Sequence, residues 1–563
     1  MKDVSTGIVS SGKSALTKWA LAVFLGTLAW MVFLTQGLPI GEHDDWDHFV
    51  MTREAPFKTL LGNCLKPWSA SMSWQGYCDV SDQVYHRRVL PSVLFRCVNK
   101  VFGYHFSAYF FFLKDIFFAG VALMLFLLLF QLTQSRLLSL AGTVFYLTLP
   151  VHYMHLMWMS DTIVLVHFFV LFAVWCYLGL VRNMEESGPW PKFLGGLILF
   201  WLAGVLAIKS KSPAAILVML LGTYTVLSVP RLFQHKLKLL MLFLALGALC
   251  LVIIPVEHLR DATQMPTVYR WENSCRMVFR NYGTEYEDEP VSAFLNWDSI
   301  IPVSIPRNLG FLPLWITVAL MIVYGAGRAF RSVAKENRFL AHPLAVIALI
   351  WFALEIALMG YFDAEPRYFS GTFLPITLLL MRLLYCDLRM WKGLWRWGLV
   401  AIGLAALIWS FVFNLNHIFF LRTRKGAYYE QRVGAARVIY QDQFPDDNRG
   451  WDPIGKFQCL KCVEPGYAGP RIEKYLYYSV LPPLDWNKDS SGDVGRFAEF
   501  AQKGAVYYLT NDPVLFQGNP NVTLLSSVDG CTRDSLFYHL YLKAKRKKPP
   551  PLLVYKWVGA AVP

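Results

Sequence analysis

The chain has 563 residues, of which 55% are hydrophobic and only 16% charged, with a net charge of +14. A soluble domain carries about 25% charged residues, so most of this chain is excluded from water-soluble folds. The positive charge sits in short loops between apolar runs, the pattern of a membrane protein with cytoplasmic Lys and Arg, and not that of a nucleic-acid-binding surface.

Apolar runs long enough for about 30 Å of hydrocarbon predict eleven transmembrane helices, near 18–38, 106–130, 134–150, 160–181, 193–208, 213–229, 237–256, 308–327, 341–361, 369–385 and 395–418. Residues 1–18 carry Lys2, Lys13 and Lys18 against Asp3, and the apolar run after them is too long for a signal segment. The first helix is therefore expected to enter from the cytoplasm. Every second loop should then be cytoplasmic. Loop 182–192 is neutral, but 230–238 (Arg231, Lys236, Lys238), 328–338 (Arg328, Arg331, Lys335, Arg338) and 387–396 (Arg389, Lys392, Arg396) are basic. This agreement predicts that the long loops 39–105 and 257–307 and the tail 425–563 lie outside.

The tail is a different material. Turn-rich clusters such as Asp446-Asp447-Asn448-Arg449-Gly450 separate strand-like runs at 505–509, 522–525 and 552–557, with a helical stretch at 493–503. That order predicts a small extracytoplasmic α/β or α+β domain. The chain thus divides into a membrane module, 1–424, and a soluble domain, 425–563. Cys64, Cys78, Cys275, Cys459, Cys462 and Cys531 all fall on the outer side, where disulfides form, and Cys64 with Cys78 is a local candidate pair. A single Cys459/Cys462 pair with no nearby His is a poor zinc site.

The residues with chemistry cluster at outer helix ends. After helix 1 comes Glu42-His43-Asp44-Asp45-Trp46-Asp47-His48. Crowded carboxylates raise one another's pKa or recruit a cation, and one of them can take a proton from an attacking hydroxyl. Asp44, Asp45, Asp47 and His48 suit a divalent ion such as Mg, Mn, Ca or Zn; an ordinary polar loop is the plain alternative. His86-Arg87-Arg88-Val89-Leu90-Pro91 precedes an amphipathic stretch, and its arginines suit either lipid headgroups or a bound phosphate. Asp161 stands at the outer start of the fourth helix, as a helix cap or as a cavity-facing acid. Lys209 and Lys211 lie on the outer side against the charge bias, either holding an anion or snorkelling to lipid. Glu365-Pro366-Arg367-Tyr368 precedes the tenth helix, with Pro375 inside it.

Taken together, these segments resemble the GT-C superfamily of polytopic membrane glycosyltransferases, which use polyprenyl-phosphate sugars as donors. Asp44 and Asp45 look like that family's first-loop acids, and Asp161 like its second acid. The Arg367-Tyr368 segment and the paired Arg87-Arg88 resemble segments of bacterial members. The first loop departs from the Asp-Glu pair of the mannosyl and aminoarabinose transferases, which leaves sugar and acceptor open. The resemblance implies transfer of a sugar from a polyprenyl-phosphate donor to a cell-envelope glycan, lipid or protein, with inversion, at a bacterial inner membrane. Arg87, Arg88, Lys209, Lys211, Arg367 and Tyr368 would bind the donor phosphate, and Asp44, Asp45 and Asp161 would be catalytic. The rival classes are a lipid-linked glycan transporter or flippase, which would place charges at mid-bilayer in repeated halves, and a polysaccharide ligase or polymerase.

Overall fold

The computed structural model describes residues 4–36, 38, 57–58, 89–102, 106–149, 152–153, 162–253, 342–359, 371–390, a scatter of positions between 393 and 442, and 461–463, 505–510, 513–514, 516–529 and 551–558. Expectations for 308–327, the helical stretch 493–503 and the Cys64/Cys78 pair lie outside these residues.

The membrane module is helical. In chain order the helices are α1 (Val4–Thr35), α2 (Val89–Phe102), α3 (Phe106–Phe110, a π turn Phe111–Asp115, then Ile116–Thr133), α4 (Arg136–Leu147) and α5 (Ile163–Glu185). Then follow α6 (Trp190–Ser210), α7 (Ile216–Leu232), α8 (Lys236–Ile253), α9 (Pro343–Met359) and α10 (Phe373–Met390). Among the described residues five stretches are long and apolar enough to cross a membrane: Ala15–Thr35, Ser107–Thr133, Ile163–Glu185, Trp190–Ser210 and Ile216–Val252. The last holds α7 and α8. It folds as a hairpin, since Pro230 and the 3-10 turn Phe233–His235 break the rod, Arg231 pairs with Glu185, and Leu249 meets Gly204 near the far end of α6.

Side-chain contacts sort the helix ends into two faces. At one, which we call the basic end, Arg382 Nη1 donates to the Leu132 carbonyl at 2.9 Å, and Lys238 Nζ donates to Asn183 Oδ1 at 2.9 Å and to the Gly188 carbonyl at 2.6 Å. The Lys238 ammonium also lies over the rings of Trp190 and Phe193. The turns here end as helix-capping rules require, with Gln134 in the left-handed region at φ 53° and the Ser135 hydroxyl capping α4. At the other end, the mouth, the C-terminal ends of α1, α4, α6 and α9 meet the N-terminal ends of α3, α5 and α10. Thr35 bonds Asp115, Trp30 bonds Tyr153, Thr162 bonds Ser210, and Tyr146 reaches His167.

The tail contains a four-stranded sheet in the order β1-β2-β4-β3, with β1 (Lys461–Val463) parallel to β2 (Ala505–Thr510) and the other pairs, with β3 (Val522–Val528) and β4 (Leu552–Trp557), antiparallel. The three runs expected as strands are β2, β3 and β4. Helical residues between 431 and 442 pack on this sheet: Gly434 lies against Val528, and Asp442 accepts a hydrogen bond from Tyr507 at 2.5 Å and pairs with Lys556 at 2.8 Å. This is a polytopic helical membrane protein with a small α+β appendage.

Candidate functional site at the mouth of the helical bundle

Of the residues expected to carry chemistry, the structure describes Lys209 and Lys211. Asp44, Asp45, Asp47, His48, Arg87, Arg88, Asp161, Arg367 and Tyr368 lie outside the described residues, as does the proposed metal set. Among the described residues no group of three or more His, Cys, Asp or Glu gathers as metal ligands.

Lys209 closes the last turn of α6, and Lys211 follows Ser210 in extended backbone. Neither spreads outward; they are 2% and 4% exposed. A long-range bond is made at the residue between them. Thr162, the N-cap of α5, makes no capping bond within its own helix; its hydroxyl donates instead to the Ser210 carbonyl at 3.0 Å. That bond draws the start of α5 against the residue between the two lysines. In the sequence Asp161 immediately precedes Thr162.

Four further ionisable groups at this end were missed by the sequence reading. Lys114 and Asp115 are 0% and 1% exposed, inside the π turn of α3. A π turn adds one residue to a helical turn and is common at functional sites. Its packing partners are α1, α2 and α5. Asp115 Oδ2 accepts from Thr35 Oγ1 at 2.9 Å, while Asp115 Oδ1 is buried without a hydrogen-bond partner. His167, buried one turn into α5, holds Nδ1 at 3.5 Å from the Tyr146 hydroxyl, and Tyr146 stacks on His152 with centroids 4.1 Å apart. Glu355, near the end of α9, accepts from Trp351 Nε1 at 3.0 Å. The readable signal was the charge itself, since an ionisable residue inside an apolar run marks a functional position by default.

These groups share one physical setting. They are cations, carboxylates and imidazoles drawn from four helices, within about 14 Å of the helix ends at 1.5 Å per residue, in surroundings where charge interactions are stronger than in water. Such a layer can bind an ionic group and stabilise a change of charge.

No family model matches the sequence, and no curated relative does. Among solved structures the chain is similar to ArnT from Cupriavidus metallidurans in the apo state, at 13% identity, covering 98% of this chain and 100% of that one with a TM-score of 0.44. It is similar also to the same protein bound to undecaprenyl phosphate, at 11% identity, 96% and 99% coverage and a TM-score of 0.40. A third is the archaeal oligosaccharyltransferase AglB from Archaeoglobus fulgidus in complex with an inhibitory peptide and a dolichol-phosphate, at 10% identity, 87% and 69% coverage and a TM-score of 0.44.

Proposed function

We propose that this protein is a GT-C-type membrane glycosyltransferase that moves a sugar from a polyprenyl-phosphate donor to an extracytoplasmic glycan, lipid or protein. The observation that carries the reading is the burial of Lys209 and Lys211 at the mouth, in a layer built by α1, α3, α5, α6, α9 and α10. Lys209 and Lys211 put positive charge at the outer ends of the helices, where the phosphate of a lipid-linked donor would lie, and ionisable groups placed so in a membrane bundle tend to be functional. The motif residues from the sequence flank the same helix ends: Asp44 and Asp45 follow α1, Asp161 precedes α5, and Arg367 and Tyr368 precede α10.

On this reading the basic end faces the cytoplasm, as the Lys and Arg bias requires, and the mouth and the α+β domain face outward at a bacterial inner membrane. The donor's lipid tail lies among the helices, and Lys209, Lys211, Arg87, Arg88 and Arg367 counter its phosphate, with Tyr368 beside them. Asp44 or Asp45, with Asp161, orients the acceptor hydroxyl and takes its proton. The acceptor oxygen bonds to the anomeric carbon as the bond from that carbon to the phosphate oxygen breaks, inverting the centre. The lipid phosphate leaves with both electrons and an added negative charge, which the cations stabilise. A divalent ion held by Asp44, Asp45, Asp47 and His48 belongs to the same proposal, and would supply positive charge beside the acceptor.

Mass spectrometry of envelope glycans and lipids tests this directly. A deletion strain should lose one glycosylated species, wild-type protein should restore it, and Asp45→Ala present at equal membrane level should not. Full restoration by Asp45→Ala, or an unchanged glycan profile in the deletion, refutes the assignment.

A further inference from the structure

Glu355 and His167 stand apart from the lysines and serve no part of the phosphate chemistry. They come from different helices, α9 and α5, and converge on Gly371. A Cβ at Gly371 would lie 3.0 Å from Glu355 Oε1 and 3.6 Å from His167 Nε2, so both groups stand against the same glycine and the absence of a side chain there lets them approach. Each is held from behind: Trp351 Nε1 donates to Glu355, and the Tyr146 hydroxyl meets His167 Nδ1. Trp351 is buried and Glu355 is half-buried. Thr372, next in the chain after Gly371, has a buried hydroxyl with no hydrogen-bond partner.

This chemistry does not suit a phosphate. A glutamate brings no positive charge to a phosphate, and when ionised it repels one. It does suit hydroxyl groups: the carboxyl accepts from one, the imidazole donates or accepts, and the threonine hydroxyl does either. We infer that Glu355 and His167, brought together at Gly371, form the subsite for the hydroxyl groups of the transferred sugar, separate from the lysine site for the lipid phosphate. The inference rests on the glycosyltransferase reading and divides its donor into two parts with two seats.

The two seats predict a split. Purified full-length protein in lipid nanodiscs is titrated with undecaprenyl phosphate, which lacks the sugar, and isolated membranes are assayed for the rate of forming the glycan species that the deletion strain lacks. Glu355→Ala and His167→Ala should bind undecaprenyl phosphate as wild type does, and lose about 10- to 100-fold in transfer rate, the value of one or two hydrogen bonds involving a charged group. Lys209→Ala combined with Lys211→Ala should lose undecaprenyl phosphate binding itself. Glu355→Gln and His167→Gln keep side-chain bulk and guard against misfolding; they should show the same split with a smaller loss. Wild-type transfer in both alanine variants overturns the inference, and so does a loss of undecaprenyl phosphate binding by Glu355→Gln equal to that of the lysine pair. A wild-type protein that binds no undecaprenyl phosphate overturns the donor reading and the inference with it, a result distinct from the other two because it needs no variant.

Discussion

The bond between Thr35 and Asp115 joins the last turn of α1 to the π turn of α3, and its removal has a calculable cost. The donor–acceptor distance is 2.9 Å and both residues are buried, so the bond is well formed and shielded from solvent. Hydrogen bonds between helices in membranes average about 0.6 kcal/mol in double-mutant cycles and reach about 1.7. Thr35 Oγ1 also lies 3.0 Å from the Met31 carbonyl, so its one hydrogen is shared between two acceptors, while Asp115 Oδ1 has no hydrogen-bond partner. The coupling should therefore sit within the range, at about 1 kcal/mol, roughly a fivefold change in the folding equilibrium. Thr35→Val keeps the shape and removes the hydroxyl; Asp115→Leu removes the carboxylate. Unfolding free energies of wild type, both single variants and the double variant, measured in one micelle system, give the coupling, and Thr35→Ser should keep most of it. A coupling below about 0.3 kcal/mol, half the membrane average, refutes the claim that this contact fastens α1 to α3.

Other contacts give equally direct outcomes. Gly142→Ala puts a Cβ 2.6 Å from Met381 Cγ and 2.8 Å from Leu129 Cδ1, between α4 and two neighbours, whereas Gly179→Ala meets nothing within 4 Å. Thermal unfolding should show the first destabilised by about 1–3 kcal/mol through overpacking and the second unchanged or stabilised by up to about 1 kcal/mol through helix propensity. Lys238→Met keeps the apolar stem but leaves the Gly188 carbonyl and Asn183 without their ammonium donor; a loss of about 2–4 kcal/mol is expected from two charge-assisted bonds, seen as a lowered melting temperature. Tyr507→Phe removes the bond to Asp442 but keeps the ion pair of Asp442 with Lys556, so the tail should lose only about 1 kcal/mol, measured by protease resistance of the 425–563 region.

The sequence made the helices legible because hydrocarbon imposes a length: α1, α3, α5 and α6 fall where apolar runs of about 20 residues must. β2, β3 and β4 were legible because their Val, Tyr and Leu runs are bounded by turn residues. β1 was not, since three residues carry no pattern, and its pairing with β2 comes from residues more than forty positions away. The site was read one-sidedly. Charges at helix ends stand out in a hydropathy pattern, so Lys209 and Lys211 were found. The Lys114-Asp115 pair, His167 and Glu355 are each flanked by apolar residues and were absorbed into spans. A π turn has no sequence signature, and the bond of Thr162 to Ser210, the residue between the two lysines, spans 48 positions. Both are products of tertiary packing, which local pattern does not record.

The two ends of the bundle use polar residues differently, and the difference can be measured. At the basic end polar groups largely satisfy one another: Lys238 with Asn183 and Gly188, Arg231 with Glu185, Thr133 with Ser139. His235 Nε2, in the turn between α7 and α8, is an exception. At the mouth, Asp115 Oδ1 and Thr372 Oγ1 are buried with no hydrogen-bond partner. Leaving such a group unmade costs about 1–3 kcal/mol, and a cost of that kind is kept where a substrate makes the missing bond. Thr372 separates the two demands cleanly. Thr372→Val preserves volume and β-branching while deleting the orphaned hydroxyl, so the protein without substrate should be as stable as wild type or gain about 1 kcal/mol, read as a raised melting temperature. Sugar transfer should fall at the same time, by about tenfold for one lost hydrogen bond. If Thr372→Val melts lower than wild type, the hydroxyl contributes to the fold; if it melts higher and transfers sugar at the wild-type rate, the substrate does not use it. Either result would remove Thr372 from the sugar subsite.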